Sequence, residues 1–179
     1  MTDTAWPGPA ELLEHHERML EALRVLARQF AAVTADPRSK FFGKLHDEFD
    51  ELLLQMREEL DEQTVMMMVA SCEATLRIDF DGRLRDKTKD RVRRRFKELR
   101  SQYEERVQLD QILDAWREET GEVERIGRLR QLVKRRHWLA HGRYWRDKSG
   151  VSPDPRLAGL VIDDLLQALQ RCLPDFPRT

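Results

Sequence analysis

Cysteine, glycine and proline are scarce in this chain, with 2, 8 and 7 of each among 179 residues. Two cysteines, Cys72 and Cys172, are too few for a disulfide framework, and Cys72 lies in an apolar stretch where a small buried residue is expected. Runs of alternating polar and apolar residues bounded by turns are also missing, which disfavours a β-sheet protein. The length suits one domain with a core of its own.

Long apolar runs are absent as well, so no segment approaches the length that is needed to cross a membrane. The first residues lack a basic segment followed by an apolar core, and we therefore expect no signal peptide. A cytoplasmic protein without a membrane partner is the resulting prediction.

The sequence also lacks an excess of charge of either sign. It has 32 Lys and Arg against 33 Asp and Glu, for a net charge of -1, which excludes a globally basic nucleic-acid binder. The charges are nevertheless unevenly placed, since residues 83–97 hold nine basic and two acidic side chains. A second basic stretch covers residues 125–148. Such asymmetry attracts anions to one face, although a solvated helix surface gives the same pattern.

What the chain does contain is apolar residues at three- and four-residue spacing, which predicts an all-α, single-domain bundle of about five to six helices. We expect a flexible lead-in at residues 1–8, the helical domain at 9–173 and a flexible tail at 174–179. Pro9 suits the first turn of a helix, and Asp81-Gly82 is the expected end of another. The predicted helices cover residues 10–33, 40–60, 62–80, 86–118, 122–139 and 156–172, and the second and third are either separate or one bent helix.

The segment of residues 135–145 is the most informative one for function. It reads Arg-Arg-His-Trp-Leu-Ala-His-Gly-Arg-Tyr-Trp and combines arginines, histidines and aromatic rings beside a glycine. The guanidinium group of Arg136 is suited to phosphate oxygens and to the charge that grows on them in a transition state. The imidazole of His141 is suited to proton transfer near neutral pH.

Five residues along a straight helix turn the chain by about 500°, so Arg136 and His141 do not share a face of an unbroken helix. Convergence within one chain requires a distorted last turn at His141, which Gly142 would permit.

The string from Arg136 to Gly142 resembles the Arg-x4–6-His signature of the HEPN family, in the form that ends Leu-Ala-His-Gly. The resemblance implies an all-α bundle that dimerises and a metal-independent endoribonuclease site. It also implies cleavage of RNA by the 2′-hydroxyl, which leaves a 2′,3′-cyclic phosphate. Such proteins act as toxins or antiviral effectors, so an antitoxin or another defence protein is a possible partner. No cofactor or metal is implied.

Glu73 and Arg77 match a second feature of the family, an acidic residue four before a basic one on an earlier helix. They stand one turn apart in the most apolar predicted helix, where a charge requires a partner. A partly buried structural ion pair is the simpler interpretation, and such a pair could still orient Arg136 or His141.

The remaining residues of the segment have open roles. Arg135 gives an Arg-x5-His spacing, so the choice of Arg136 rests on the resemblance. His137 stands where the family often has Asn, and it either replaces that residue or adds a second proton carrier. Arg135, Arg143 and Tyr144 are predicted RNA contacts, with Tyr144 able to stack on a base or to pack on the bundle.

Other histidines and a metal site are the less favoured interpretations. His15 and His16 fall on the first helix as surface or partly packed residues. His137 and His141 are four apart, as metal ligands often are, but a third ligand such as Cys72 or Asp79 would have to come from elsewhere.

Three functions follow from these residues. The leading one is an endoribonuclease of a prokaryotic toxin–antitoxin or antiviral defence system. The second is a non-catalytic HEPN module that binds a nucleotide, an RNA or a protein. The third is a helical interaction protein that docks through a long charged helix at residues 86–118.

Overall fold

The computed structural model describes residues 7–85, 90–141, 150, 153–173 and 175–177, except for the side chain of Glu105. Within these ranges the chain forms seven α-helices and one short 3-10 turn, and no β-strand. The all-α prediction is therefore confirmed, while the number of helices is higher than expected. The helices are α1 (Pro9–Arg28), α2 (Phe30–Ala35), α3 (His46–Arg85), α4 (Arg91–Tyr103), α5 (Leu109–Thr120), α6 (Val123–Ala140) and α7 (Pro155–Cys172), with the 3-10 turn at Glu104–Arg106.

Helix α3 is the central element of the bundle, and α1, α4, α5, α6 and α7 all contact it. Its C-terminal half carries Val65, Met68, Val69 and Leu76, all of which are fully buried. Cys72 is buried among them, as the sequence predicts. The surrounding helices remove most of this segment from water, while Met67 and Ile78 stay about half exposed, at 50% and 52%.

The second and third predicted helices form one continuous helix of 40 residues, α3. The predicted end at Asp81-Gly82 is wrong, because the helix continues through Gly82 to Arg85. Arg83 is buried there and donates to Asp79 of the preceding turn at 2.8 Å and to Asp90 at 2.9 Å. These contacts hold the last turn together and compensate for the low helix propensity of glycine.

The single helix that was predicted for residues 86–118 is also wrong. Between α4 and α5 the chain leaves the helix at Glu104, which has a positive φ of 55°, and passes through the 3-10 turn. Val107 and Leu109 are buried at this corner. The reversal lets Phe96 of α4 meet Trp116 of α5 at a ring distance of 6.0 Å. The expected long charged docking helix therefore does not exist.

The first predicted helix is divided at Gln29, whose φ and ψ of -96° and 14° separate α1 from α2. Pro9 occupies the first turn of α1, as predicted. Phe30 packs on Phe49 of α3 at a ring distance of 5.2 Å, which ties the short α2 to the start of the central helix.

The last two helices agree with the prediction, and Gly121 ends α5 with a φ of 75°, in the left-handed conformation that glycine favours. Phe176 packs on Trp116 at 5.4 Å, so the core extends beyond the predicted boundary at residue 173. In the described part of the chain, no helix combines the length and apolarity that a membrane span requires.

Candidate active site

The Arg-x4-His segment lies at the C-terminal end of α6, and that helix ends at Ala140. His141 is the C-cap residue, with φ and ψ of -91° and 19°. Its backbone N–H still donates to the carbonyl oxygen of His137 at 3.1 Å, which is the ordinary helical bond. His141 therefore keeps a nearly helical position one turn beyond His137.

Three of the predicted residues come together between α6 and α3. The guanidinium Nη2 of Arg136 lies 2.7 Å from Oε2 of Glu73, and Nε of Arg77 donates to Oε1 of the same carboxylate at 2.9 Å. Arg77 also reaches the carbonyl oxygen of Val107 at 3.4 Å. Glu73 thus bridges two arginines from different helices, and we call Glu73, Arg77 and Arg136 the Glu73 cluster.

The Glu73 cluster is accessible to solvent. The side chains of Arg136 and Arg77 are 30% and 43% exposed, whereas Glu73 is 17% exposed. Two guanidinium groups share one carboxylate, so the cluster carries one positive charge in excess. Guanidinium groups are planar, permanently charged and able to offer two hydrogen bonds to one phosphate. The arrangement can therefore hold an anion that approaches from solvent.

A further carboxylate, Asp163 of α7, lies near this part of α3. It is not among the residues that were predicted for the site. Burial raises the pKa of Asp163 above its ordinary value. Burial also raises the pKa of the Cys72 thiol to about 12, with the charges of Glu73 and Asp163 acting in the same direction. Cys72 is therefore a neutral core residue and is unsuited to be a nucleophile or metal ligand. Asp163 was missed because Asp163-Asp164 reads as an exposed acidic pair in sequence.

The two histidines of the segment meet edge to face at the exposed end of α6. Their ring centroids are 4.2 Å apart at an angle of 61°, and both residues are exposed. Within the described residues, no group of three or more His, Cys, Asp or Glu side chains is arranged to hold a metal ion.

Arg136 and His141 have different neighbours within one chain. Arg136 contacts Glu73 on α3, while His141 follows the helical path and lies edge-on to His137, so the two residues are about 140° apart around the helix axis. The distorted last turn that would bring them together is not seen at His141, whose N–H keeps its helical bond. Each group is nonetheless open to solvent.

Arg135 has a different environment from Arg136. Its side chain is buried, its Nη2 donates to Glu62 of α3 at 3.0 Å, and its guanidinium group lies 4.7 Å from the ring centroid of Trp138. A guanidinium group that is held by a carboxylate and an aromatic face is committed to the fold. Arg135 is therefore buried at its place in the fold, whereas the side chain of Arg136 stays 30% exposed.

The predictions for Gly142, Arg143 and Tyr144 lie outside the described residues. The predicted residues that the structure brings together are Glu73, Arg77 and Arg136 in one group and His137 and His141 in the other.

Comparison of the chain with family models, with curated proteins and with solved structures finds no match.

Proposed function

We propose that this protein is a metal-independent endoribonuclease of the HEPN type. The observation that carries the proposal is the position of the Glu73 cluster, which presents two arginines to solvent beside the helix end where His137 and His141 are exposed. The cluster supplies positive charge for a phosphodiester, and the histidines supply ring nitrogens that can accept and donate protons.

The proposed reaction uses the RNA's own 2′-hydroxyl as the nucleophile. Its oxygen forms a bond to the adjacent phosphorus while the bond to the 5′-oxygen of the next nucleotide breaks. The proton of the 2′-hydroxyl passes to a base, and the departing 5′-oxygen receives a proton. The products are a 2′,3′-cyclic phosphate and a 5′-hydroxyl, and because the nucleophile is internal the route requires no metal-bound water.

Arg136 has the role of stabilising the negative charge that develops on the phosphate oxygens. Glu73 holds the guanidinium group at 2.7 Å and leaves donors on its other side for the phosphate. Arg77 adds a second positive charge to the same place. Glu73 and Arg77 are therefore supporting residues in this proposal.

His141 carries the proton transfer, and His137 lies close enough to support it, with ring centroids at 4.2 Å. Arg143 and Tyr144 follow directly in sequence and remain proposed RNA contacts. Arg135 is left out of the RNA-binding surface because it is buried against Glu62 and Trp138.

The biological setting and the dimer rest on the resemblance to the HEPN family. In that family two signatures face each other across a homodimer and form one composite site. Since Arg136 and His141 diverge within one chain, a second copy would supply the missing half of the site. A role as a toxin with an antitoxin partner, or as an antiviral effector in the cytoplasm, belongs to the same proposal.

The decisive experiment is RNA cleavage by the purified protein in excess EDTA. We expect wild type to cut, and we expect His141→Ala and Arg136→Ala to lose cleavage while His15→Ala, an exposed histidine on α1, retains it. A substrate with a single 2′-deoxy nucleotide at the cut position should resist cleavage there. The upstream product should end in a cyclic phosphate by mass spectrometry.

Full activity of His141→Ala, or activity that requires added metal ions, would contradict the proposal. RNA that is retained by wild type but yields no products in any buffer would instead support the non-catalytic binding module. Replacement of Arg136 should weaken that binding as well, because the same guanidinium group would recognise phosphate without chemistry.

A further inference from the structure

A polar cavity lies away from the proposed active site, between α1, the middle of α3 and the start of α7. Its volume is about 430 Å³, within the range of sites that hold small molecules. It shares no lining residue with the Glu73 cluster or with the paired histidines of α6. The lining residues that matter here are His16, Leu20, Arg24, Arg57, Asp61 and Arg156.

A buried histidine–carboxylate pair forms one wall of this cavity. His16 is 5% exposed, and its Nε2 lies 2.6 Å from Oδ1 of Asp61. The expectation that His16 is a surface or partly packed residue is therefore wrong. Its second ring nitrogen, Nδ1, is buried and has no hydrogen-bond partner among the residues that the structure describes. A buried polar atom without a partner costs free energy, so its retention calls for an explanation.

Three arginines contribute to the same cavity. Arg24 is held by Glu21 of α1 at 3.1 Å, and Arg156 is held by Glu17 at 2.9 Å. Arg57 takes part in no ion pair or hydrogen bond with the described part of the chain, although it lines the cavity. Glutamates at the rim of the cavity thus orient Arg24 and Arg156, while Arg57 keeps all of its N–H donors.

The carboxylates of the cavity are already occupied. Asp61 accepts from His16, and Asp154 caps the start of α7 by accepting from the backbone N–H groups of Arg156 and Leu157 at 2.8 and 3.3 Å. Glu21 and Glu17 already pair with Arg24 and Arg156, so the positive charge without a carboxylate partner in the described part of the chain is that of Arg57. Several charged donors around one space match the oxygens of a phosphate dianion better than those of a single carboxylate.

An apolar groove continues from the cavity between α1 and α3. It shares Leu20, Arg24 and Arg57 with the cavity and is further lined by Leu23 and Leu53. From the cavity and the groove together, we infer that this protein has a second binding site, for a small phosphate monoester with an apolar carbon portion. The phosphate lies among Arg24, Arg57 and Arg156, and the carbon portion lies against Leu20.

The test is a titration of the full chain with phenyl phosphate, followed by calorimetry and by the NMR signals of the five histidine rings. The four other histidines are replaced one at a time to identify the His16 signal. We expect saturable binding that shifts His16, and no binding of phenol. Arg57→Gln should weaken binding by about tenfold, and Arg57→Gln with Arg156→Gln should abolish it.

Arg18→Gln is the matched control, because Arg18 is an exposed arginine of α1 that pairs with Glu14 outside the cavity. It should bind phenyl phosphate as wild type does. Absence of binding, or equal affinity in the Arg57 and Arg156 variants, would overturn the inference. Shifts confined to His137 and His141 would also overturn it and would place the phosphate in the proposed active site. The readout does not use RNA cleavage, so it stands apart from the ribonuclease proposal.

Discussion

Helix α3 contains two acidic–arginine pairs of identical spacing, Glu73–Arg77 and Asp79–Arg83, and the two differ in almost every physical respect. Both are i,i+4 pairs on the same helix, at 2.9 and 2.8 Å. The side chains of Asp79 and Arg83 are 2% and 5% exposed. Those of Glu73 and Arg77 are 17% and 43% exposed. The same local pattern therefore produces a sealed pair and an open one.

The sealed pair belongs to a group that we call the Asp79 cluster, which consists of Asp79, Arg83 and Asp90. Arg83 bonds both carboxylates and lies 5.5 Å from the ring centroid of Trp116. Asp90 also accepts the backbone N–H of Arg93 at 2.7 Å and so begins α4. Two carboxylates share one guanidinium group, and the contact between Arg83 and Asp90 joins α3 to the start of α4.

The Glu73 cluster has the opposite composition, because two guanidinium groups share one carboxylate there. The third residue of each cluster accounts for the difference in charge. Arg136 from α6 joins the exposed pair, whereas Asp90 joins the buried one. An i,i+4 pair therefore has no function of its own, because the third partner sets the charge and the exposure of the cluster. It also predicts different consequences of mutation.

The largest difference is expected in RNA cleavage. Arg136→Ala should lower kcat/KM by at least about a hundredfold, the usual effect of removing a group that stabilises developing charge. Its melting temperature should stay close to that of wild type, because the side chain is partly exposed. Arg128→Ala is the control, since Arg128 is an exposed arginine of the same helix that pairs with Glu124. Equal losses in both variants would remove the distinction between the Glu73 cluster and ordinary surface charge.

The second difference is expected in stability. Arg83→Ala leaves the buried Asp79 and the partly buried Asp90 without their cation and should lower the free energy of unfolding by about 3–5 kcal/mol. Arg77→Ala, at an exposed pair of the same spacing, should lower it by less than about 1 kcal/mol. Urea unfolding of both variants measures the contrast. Similar losses would show that the two pairs have the same energetic role after all.

The third difference is expected in the response to pH. Burial raises the pKa of Asp79 to about 6 from its ordinary 3.8, and the hydrogen bond and charge of Arg83 offset this only in part. The folded protein then holds a proton that the unfolded chain has released. The stabilisation from this group is complete below pH 3.8 and is lost as the pH rises through about 6.

The measurement is the free energy of unfolding of wild type relative to Asp79→Asn as a function of pH. Wild type should lose up to about 3 kcal/mol relative to the variant between about pH 4 and pH 7. A relative gain over this interval would show that Arg83 lowers the pKa of Asp79 more than burial raises it.

The smallest effect is expected at Glu73 itself. Glu73→Gln removes the only negative charge of the Glu73 cluster, so a non-cleavable 2′-deoxy analogue should bind about two- to fivefold more tightly. The same variant should lower kcat by about tenfold, because Arg136 loses the carboxylate that positions it. A split of this kind between affinity and kcat marks a positioning residue. Unchanged kcat would assign Glu73 a purely structural role.

Several features of the fold could be predicted from spacing alone. The central position of the apolar segment around Val65–Ala70, the burial of Cys72 and the bounds of α6 and α7 follow from how apolar residues repeat along a helix. The break between α4 and α5 could not be predicted, because Glu104 carries no turn signal. It has a positive φ where the chain reverses between α4 and α5, and the reversal brings Phe96 and Trp116 together.

The candidate site was predictable in part. The sequence indicated Arg136 and, as an ion pair that could orient Arg136 or His141, Glu73 and Arg77; the structure joins the three through one carboxylate. It gave no means of choosing between Arg135 and Arg136 other than the resemblance. The structure distinguishes the two arginines, since Glu62 and Trp138 contact Arg135, whereas Arg136 is partly exposed. The histidine–aspartate pair of His16 and Asp61 joins residues 45 positions apart and had no sequence signal.

The sequence by itself determined that the chain is helical, which segment is central and where the chemically capable side chains are, because helix periodicity and residue chemistry are local properties. Only the tertiary structure decided which of those side chains are sealed and which are open. Exposure and charge balance depend on the third partner that packing brings from another helix, and spacing along one helix carries no information about that partner.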